Sequence, residues 1–304
     1  MMVVTIELGT RLGLNVHRDQ WPTAALLHSY ESAGFAWVQV HTPPRPMLAD
    51  RERGRRHARA LRAALAPHGL RLLLHGPDDL SAGTIEHDRA FDGLMDYAAE
   101  AGAELVVIHA MNFPVADGNA AGERLRERLD AEERSLRRFA QRAEALGLTL
   151  ALENRAPAYP VKPALPRVCH DLLAVRDLVR RLGSPAAGLL LDVGHAHLVA
   201  SLRGESAERA VRAALDDVVL FGVHDNLGAR RHDLGAPGVD PLRLDLHLPP
   251  GAGCLPWDRL GPLLAEHAAP LMLEVERSHN AAPQTLAVGT AGLLRRRATV
   301  AAAA

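Results

Sequence analysis

The chain has 304 residues, 48% of them hydrophobic and 23% charged, a balance that excludes a disordered polymer and allows a large buried core. Its formal net charge of -1 supplies no basic excess for nucleic acid or for an anionic membrane surface. Lys162 is the only lysine among 35 basic residues, so imine chemistry has a single candidate, in a proline-rich segment. Cys169 and Cys254 stand alone in the sequence, which argues against a disulfide framework or a zinc knuckle. The start lacks a basic region followed by a long apolar one, and no stretch is long enough to span a bilayer. A cytoplasmic protein is the expectation.

Residues 11–16 predict a first strand, and the helical pattern over 23–32 stops at Gly34. Residues 35–41 predict a second strand and 50–65 an arginine-rich helix whose charges recur beside Ala and Leu at helical spacing, as on a solvated face. The strand over 70–75 ends in His75; a helix over 87–101, stopped by Gly102, leads to the strand 104–109, which ends in His109. Residues 120–146 form the clearest amphipathic helix, ended by Gly147. Next come a strand over 148–153 finishing in Glu153, a proline-rich loop over 155–167 and a helix over 170–182.

The apolar run Gly188–Leu191 ends abruptly in Asp192, with His195 and His197 close behind, as a strand buried on both faces ends where it opens onto a site. Gly194 would let the backbone turn sharply there, so that Asp192 and His195 face a common object. A helix over 206–215 precedes a strand over 218–224 that ends in His224. The long Gly-, Pro- and Asp-rich segment 227–253 reads as a functional loop and carries Asp245 and His247. A helix over 257–267, a strand over 271–276 with Glu274, and a helix over 283–296 close the chain.

Eight strand–helix alternations without a compositional break predict one domain over 1–304, a (β/α)8 barrel with its core over about 11–296. A doubly wound sheet would need fewer strands or a second domain behind a linker, and no linker is visible. In a barrel, the ends of the strands share one mouth. Singly, a histidine or carboxylate at a strand end is usually a hydrogen-bonded structural group. Here His75, His109, Glu153, Asp192, His224 and Glu274 end six different strands. Such a convergence of carboxylates and imidazoles needs protons or a cation to offset repulsion and desolvation. Three carboxylates with one imidazole (Glu153, Asp192, Glu274 and His224) suit Mn, Mg or Co; if further histidines coordinate, a multinuclear zinc site is plausible chemistry. Asn15 and His41, at the ends of the first two strands, are expected to line the pocket, whereas His17, His170, His232, His267 and His279 are expected on loops or helix surfaces.

These motifs, in this order over residues 11–296, resemble the xylose isomerase-like TIM barrels, a superfamily of ketose epimerases, isomerases, dehydratases and the endonuclease IV group. The matching elements are Leu-Leu-His75-Gly-Pro, Val-Ile-His109, Leu-Glu153-Asn154, Asp192-Val-Gly-His195, His224-Asp225-Asn226, Asp245-Leu-His247 with its Leu-Pro-Pro-Gly-Ala-Gly context, and Leu-Glu274-Val. In the epimerase branch the resemblance implies that Glu153, Asp192, His224 and Glu274 hold one divalent ion that stabilises an enediolate. Glu153 and Glu274 would exchange protons on opposite faces of the substrate, and His75, His109, His195 and Arg230 or Arg231 would bind its oxygens. The partner implied is a small sugar or sugar phosphate; self-association into a homo-oligomer is compatible with this. One position departs from many relatives, which carry the seventh-strand histidine three residues before the aspartate, at Gly222 here. His224 lies on the same strand face by alternation.

In the endonuclease branch, His75, His109, Glu153, Asp192, His195, His224, Asp245, His247 and Glu274 together resemble a three-zinc ligand set. The neutral charge and the shortage of lysine stand against DNA as a substrate. A metal-dependent dehydratase is the remaining relative, because dehydration also begins with proton abstraction.

Overall fold

The computed structural model describes residues 8–115, 119–156, 167–228, 245–279 and 282–295. Eight strands close into a barrel in sequence order: β1 Leu12–Asn15, β2 Trp37–His41, β3 Arg71–His75, β4 Leu105–His109, β5 Thr149–Glu153, β6 Ala187–Asp192, β7 Val218–Val223 and β8 Leu271–Leu273. Every neighbouring pair is parallel, including β1 with β8. Parallel pairing throughout sends all eight C-terminal ends to the same face, which is where the histidines and carboxylates lie. Lys162, Arg230, Arg231 and His232 fall outside the described residues.

The apolar strands bury side chains in both directions. Trp37, Leu73, Leu105, Val107, Ala151, Leu190, Leu220 and Met272 fill the barrel. A larger cluster, with Val38, Leu74, Val106, Leu150 and Leu191 among its members, packs outward against the helices. On the opposite face from the histidines, buried Arg11 donates to the carbonyls of Ala269 at 2.8 Å, Ala265 at 3.1 Å and Leu264 at 2.7 Å. It thereby ties the start of β1 to the segment that leads into β8.

The helices are α1 Ala24–Ser32, α2 Arg45–Ala49, α3 Arg51–Leu65, α4 Ile85–Ala101, α5 Asn119–Leu146, α6 Leu172–Leu182, α7 Val193–Arg203, α8 Ala207–Ala214, α9 Trp257–Glu266 and α10 Pro283–Leu294. The expected stops at Gly34, Gly102 and Gly147 all adopt positive φ, at 86°, 77° and 69°. Two helices depart from the sequence expectation. The short α2 carries a proline in its first turn. More consequentially, the backbone does not turn sharply at Gly194: α7 starts directly after β6, with Asp192 as its N-cap accepting from the His195 N–H. Asp is a favoured N-cap, so the helix begins at once and Gly194 sits inside its first turn instead of breaking the chain. Among the described residues no helix is long and apolar enough to cross a membrane.

Candidate active site

Strand ends β3 to β8 deliver His75, His109, Glu153, Asp192, His224 and Glu274 to the barrel mouth, and all six are buried. Asp245 and His247 reach the same mouth from the segment between β7 and α9. The cavity has a volume of about 390 Å³, and Asn15, His41, Glu153, His195, His247 and Glu274 are among the residues that line it. Asp192 and His224 lie beneath that lining, at 1% and 0% exposure.

Several backbone ties fix these side chains. Asn154 clamps β5 to β6: its side-chain NH2 donates to the Asp192 carbonyl at 3.1 Å, and its side-chain oxygen accepts from the Asp192 N–H at 2.9 Å. Asp192 Oδ1 accepts the His195 N–H at 2.7 Å and lies 3.0 Å from His224 Nε2, without the alignment of a hydrogen bond. Gly222, opposite Asp192 in the β6–β7 register, has no room for a side chain, since a Cβ there would stand 2.5 Å from Asp192 Oδ2. The histidine therefore comes from position 224, one residue beyond β7.

The imidazoles are oriented by their outward nitrogens. Nδ1 of His75 donates to the Gly76 carbonyl at 2.8 Å, Nδ1 of His195 to the Asn154 carbonyl at 2.9 Å, and Nδ1 of His247 to the Glu274 carbonyl at 2.8 Å. Each leaves Nε2 facing the site, the arrangement that a carbonyl-anchored histidine ligand uses. His247 adopts this pose with a positive φ of 47°, a conformation that costs a non-glycine residue on the order of 1 kcal/mol and that surrounding contacts must hold. His109 is different. Nη1 of Arg155 contacts its ring, and because a guanidinium can only donate, the ring accepts from Arg155 at one of its two nitrogens, Nδ1 or Nε2. Its Nε2 lies 3.1 Å from Glu153 Oε2, again out of line for a hydrogen bond.

Charge in the site is tightly paired. Burial raises the cost of ionising Glu153, but His109, His195 and His75 hold it well below the usual carboxylate range. Burial likewise opposes protonation of His75 and His247, and the carboxylates beside them lift both to about 9. It opposes protonation of His195 as well, yet Asp192 and Asp245 lift that ring well above its ordinary value. Glu274 is pushed upward by burial and by the neighbouring charge of Glu153. Burial and the Arg155 cation lower His109.

Three overlapping groups bring ligand atoms within 4.8 Å of one another: His75, His109 and Glu153; Glu153, Asp192 and His195; and His195, His224, Asp245 and His247. Glu274 belongs to none of the three, although it lines the cavity. Arg230 lies outside the described residues. Asn15 and His41 line the cavity as expected, and His17, expected on a loop or helix surface, lines it from the loop after β1. His170 is also buried, its Nδ1 accepting from the Arg167 N–H at 3.2 Å. Arg155, Asp78, Arg18 and Glu276 stand at the mouth as well, and the sequence patterns did not single them out. Arg155 was within reach of the strand alternation that links it to Glu153 two residues earlier.

Residues 27–297 match the family described as xylose isomerase-like TIM barrel, and the chain belongs to that family. No curated protein matches this sequence. Among solved structures, the chain is similar to a xylose isomerase domain protein from Alicyclobacillus acidocaldarius, at 21% identity and a TM-score of 0.66 over 93% of this chain and 98% of that one. A D-tagatose 3-epimerase-like protein gives 16% identity and a TM-score of 0.65 over 93% and 95%. The IolI protein, solved with a bound zinc atom, gives 14% identity and a TM-score of 0.64 over 93% and 96%. At these identities the likeness shows the fold.

Proposed function

We propose that this protein is a divalent-metal-dependent isomerase or epimerase of a sugar or sugar-like ketone, with Glu153 and Glu274 as its proton-transfer pair. The observation that carries the reading is a set of buried polar atoms. Glu153 Oε2, Asp192 Oδ2, both ring nitrogens of His224 and Glu274 Oε1 have no hydrogen-bond partner among the described residues. Each such buried atom costs about 1–3 kcal/mol when left unsatisfied, and one cation held by Glu153, Asp192, His224 and Glu274 would relieve an atom on each of the four side chains. The oxygen-rich set suits Mn, Co or Mg. When bound, such an ion would supply Lewis-acid polarisation of a substrate carbonyl.

The side chains account for the remaining work. Glu153 on β5 and Glu274 just beyond β8 line one cavity from strands three places apart in the ring, so they approach a bound substrate from different sides, as proton removal and return on opposite faces requires. His75, His109 and His195 would hydrogen-bond substrate oxygens, and Arg230 would join them. The epimerase-like and zinc-bound relatives support a small sugar and a metal.

The test is wash-in of solvent deuterium. Metal-loaded protein incubated with a panel of ketohexoses and ketohexose phosphates in D2O is expected to exchange the carbon-bound proton beside the carbonyl, followed by NMR. Glu153→Gln and Glu274→Gln should each lose that exchange while keeping the fold; full exchange in both variants would remove the pair from the mechanism.

The three overlapping ligand groups favour a second reading, a multinuclear zinc phosphodiesterase that also uses His75, His109, His195, Asp245 and His247. Arg155 stands against it, because a guanidinium donating to His109 opposes a cation on the same ring. Metal analysis separates the two: about one ion per chain for the isomerase, two to three zinc ions for the phosphodiesterase.

A further inference from the structure

Arg155 lies two residues beyond the end of β5, and its position is fixed from both sides. Its backbone N–H donates to the Cys169 carbonyl at 2.9 Å. The residue before it, Asn154, is locked to Asp192 by two hydrogen bonds. The side chain lines the cavity and rests on His109 through Nη1, which also lies 3.1 Å from His109 Nε2.

Among the described residues Arg155 has no ion-pair partner, although Asp78 is near enough to feel its charge. The cavity's other arginine, Arg18, is paired with Asp78 at 2.9 Å. Asp78 is the carboxylate next to His109, with its Oδ1 at 3.9 Å from His109 Nδ1, yet it forms its ion pair with Arg18. Among the described residues, no carboxylate lies within ion-pair distance of the Arg155 guanidinium, whose only side-chain hydrogen-bond partner is a neutral imidazole. A half-buried guanidinium facing a cavity, with donors to spare and no anion paired to it among the described residues, matches a planar or tetrahedral oxyanion with two oxygens to offer. Charge balance on the rest of the mouth sharpens this. Glu153 is already matched by His75 and His195, and Asp245 by His195 and His247, so neither is left for Arg155.

We infer that Arg155 is a specificity-determining residue that binds an anionic group, a carboxylate or a phosphate, carried by the substrate. The substrate class is therefore a sugar acid or a sugar phosphate, and a neutral sugar lacks the group that this end of the cavity reads. This inference rests on the sugar-binding reading of the cavity, but its test is a binding measurement that proton exchange does not enter.

The test uses three compounds on one carbon skeleton: D-glucitol, D-gluconate and D-glucitol 6-phosphate. Each is titrated calorimetrically into the metal-loaded full chain and into the variants Arg155→Gln and Arg155→Lys. At least one anionic compound is expected to bind the wild type about ten times or more tighter than D-glucitol, the scale of a charge-assisted contact. Arg155→Gln should remove that margin, and Arg155→Lys, which keeps the charge, should retain part of it. Whichever anion shows the Arg155-dependent margin identifies the source as carboxylate or phosphate. Equal binding of all three compounds by the wild type, or a margin that survives in Arg155→Gln, overturns the inference. Failure of deuterium wash-in would instead count against the isomerase reading and leave this margin standing.

Discussion

Gly194 in α7 and the ring of His224 share one volume: a Cβ on residue 194 would lie 2.2 Å from Cε1 and 2.5 Å from both ring nitrogens. The first turn after Asp192 is therefore shaped by the imidazole that follows β7. Helix propensity alone favours Gly194→Ala by about 1 kcal/mol. Against that gain, His224 is fully buried, and forcing a methyl into such a contact costs about 1–3 kcal/mol. The overlap should win. Gly194→Ala is expected to lower stability by up to roughly 2 kcal/mol and to weaken manganese binding, read by thermal unfolding with and without the added ion. A variant more stable than wild type with unchanged metal response would show that the ring gives way freely.

The barrel was legible because its strands are continuous apolar runs, each ending in a polar residue, and parallel pairing turns that repetition into one mouth. Asp192 and Glu274 could be placed from the sequence for the same reason. The helix after Asp192 could not, since Gly194 in its first turn reads as a breaker in the sequence. Asp225 was visible only as part of a motif beside His224, and its work depends on a loop that folds back from residues 248 to 257. Arg155, which strand alternation links to Glu153, was passed over because the proline-rich composition beginning beside it reads as a loop. Glu132 was hidden by its helix, whose exposed face is dense in charge and conceals one carboxylate that points inward.

Metal removal offers a direct measure of the orphaned carboxylates. Chelator-treated protein is expected to melt lower, and manganese at about 100 times its dissociation constant should restore roughly 2.7 kcal/mol. Glu274→Gln should behave oppositely in the two states. It removes a buried carboxylate beside Glu153, whose charge already disfavours a second one, so the metal-free variant should be at least as stable as metal-free wild type. Its response to manganese should be lost. A variant that keeps the full metal response would exclude Glu274 from the ligand set.

Asp225 is predicted to be a structural anchor for the mouth. Its fully buried carboxylate accepts from the N–H groups of Asn226 at 2.9 Å, Leu255 at 3.1 Å and Gly251 at 2.9 Å, and from the Trp257 indole at 2.7 Å. Its backbone pairs with Leu248 in both directions, at 2.8 and 2.9 Å, directly beside His247. Asn at this position presents one acceptor oxygen and turns an NH2 toward the remaining donors. Asp225→Asn should cost roughly 2–5 kcal/mol in urea denaturation and speed amide exchange over residues 248–255. Unchanged exchange there would leave the anchoring to the Leu248 bridge alone.

Glu132 on α5 supplies a pH dependence away from the site. It is 1% exposed and accepts the Met111 N–H at 2.9 Å, and burial pushes its carboxyl up to about 8. Below its unfolded value near 4.5 both states are protonated and the group contributes nothing. Between that value and about 8 the folded state holds a proton that the unfolded state has released, so stability falls as pH rises. The fall runs at about 1.4 kcal/mol per pH unit and levels off above the folded value. Glu132→Gln keeps a carbonyl oxygen for Met111 and cannot ionise. Its advantage over wild type in chemical denaturation should therefore be small near the lower end of that range, at about pH 5, and grow steadily to about pH 8.5. Parallel stability profiles for the two proteins across that range would mean that the folded state accommodates the ionised carboxylate without penalty.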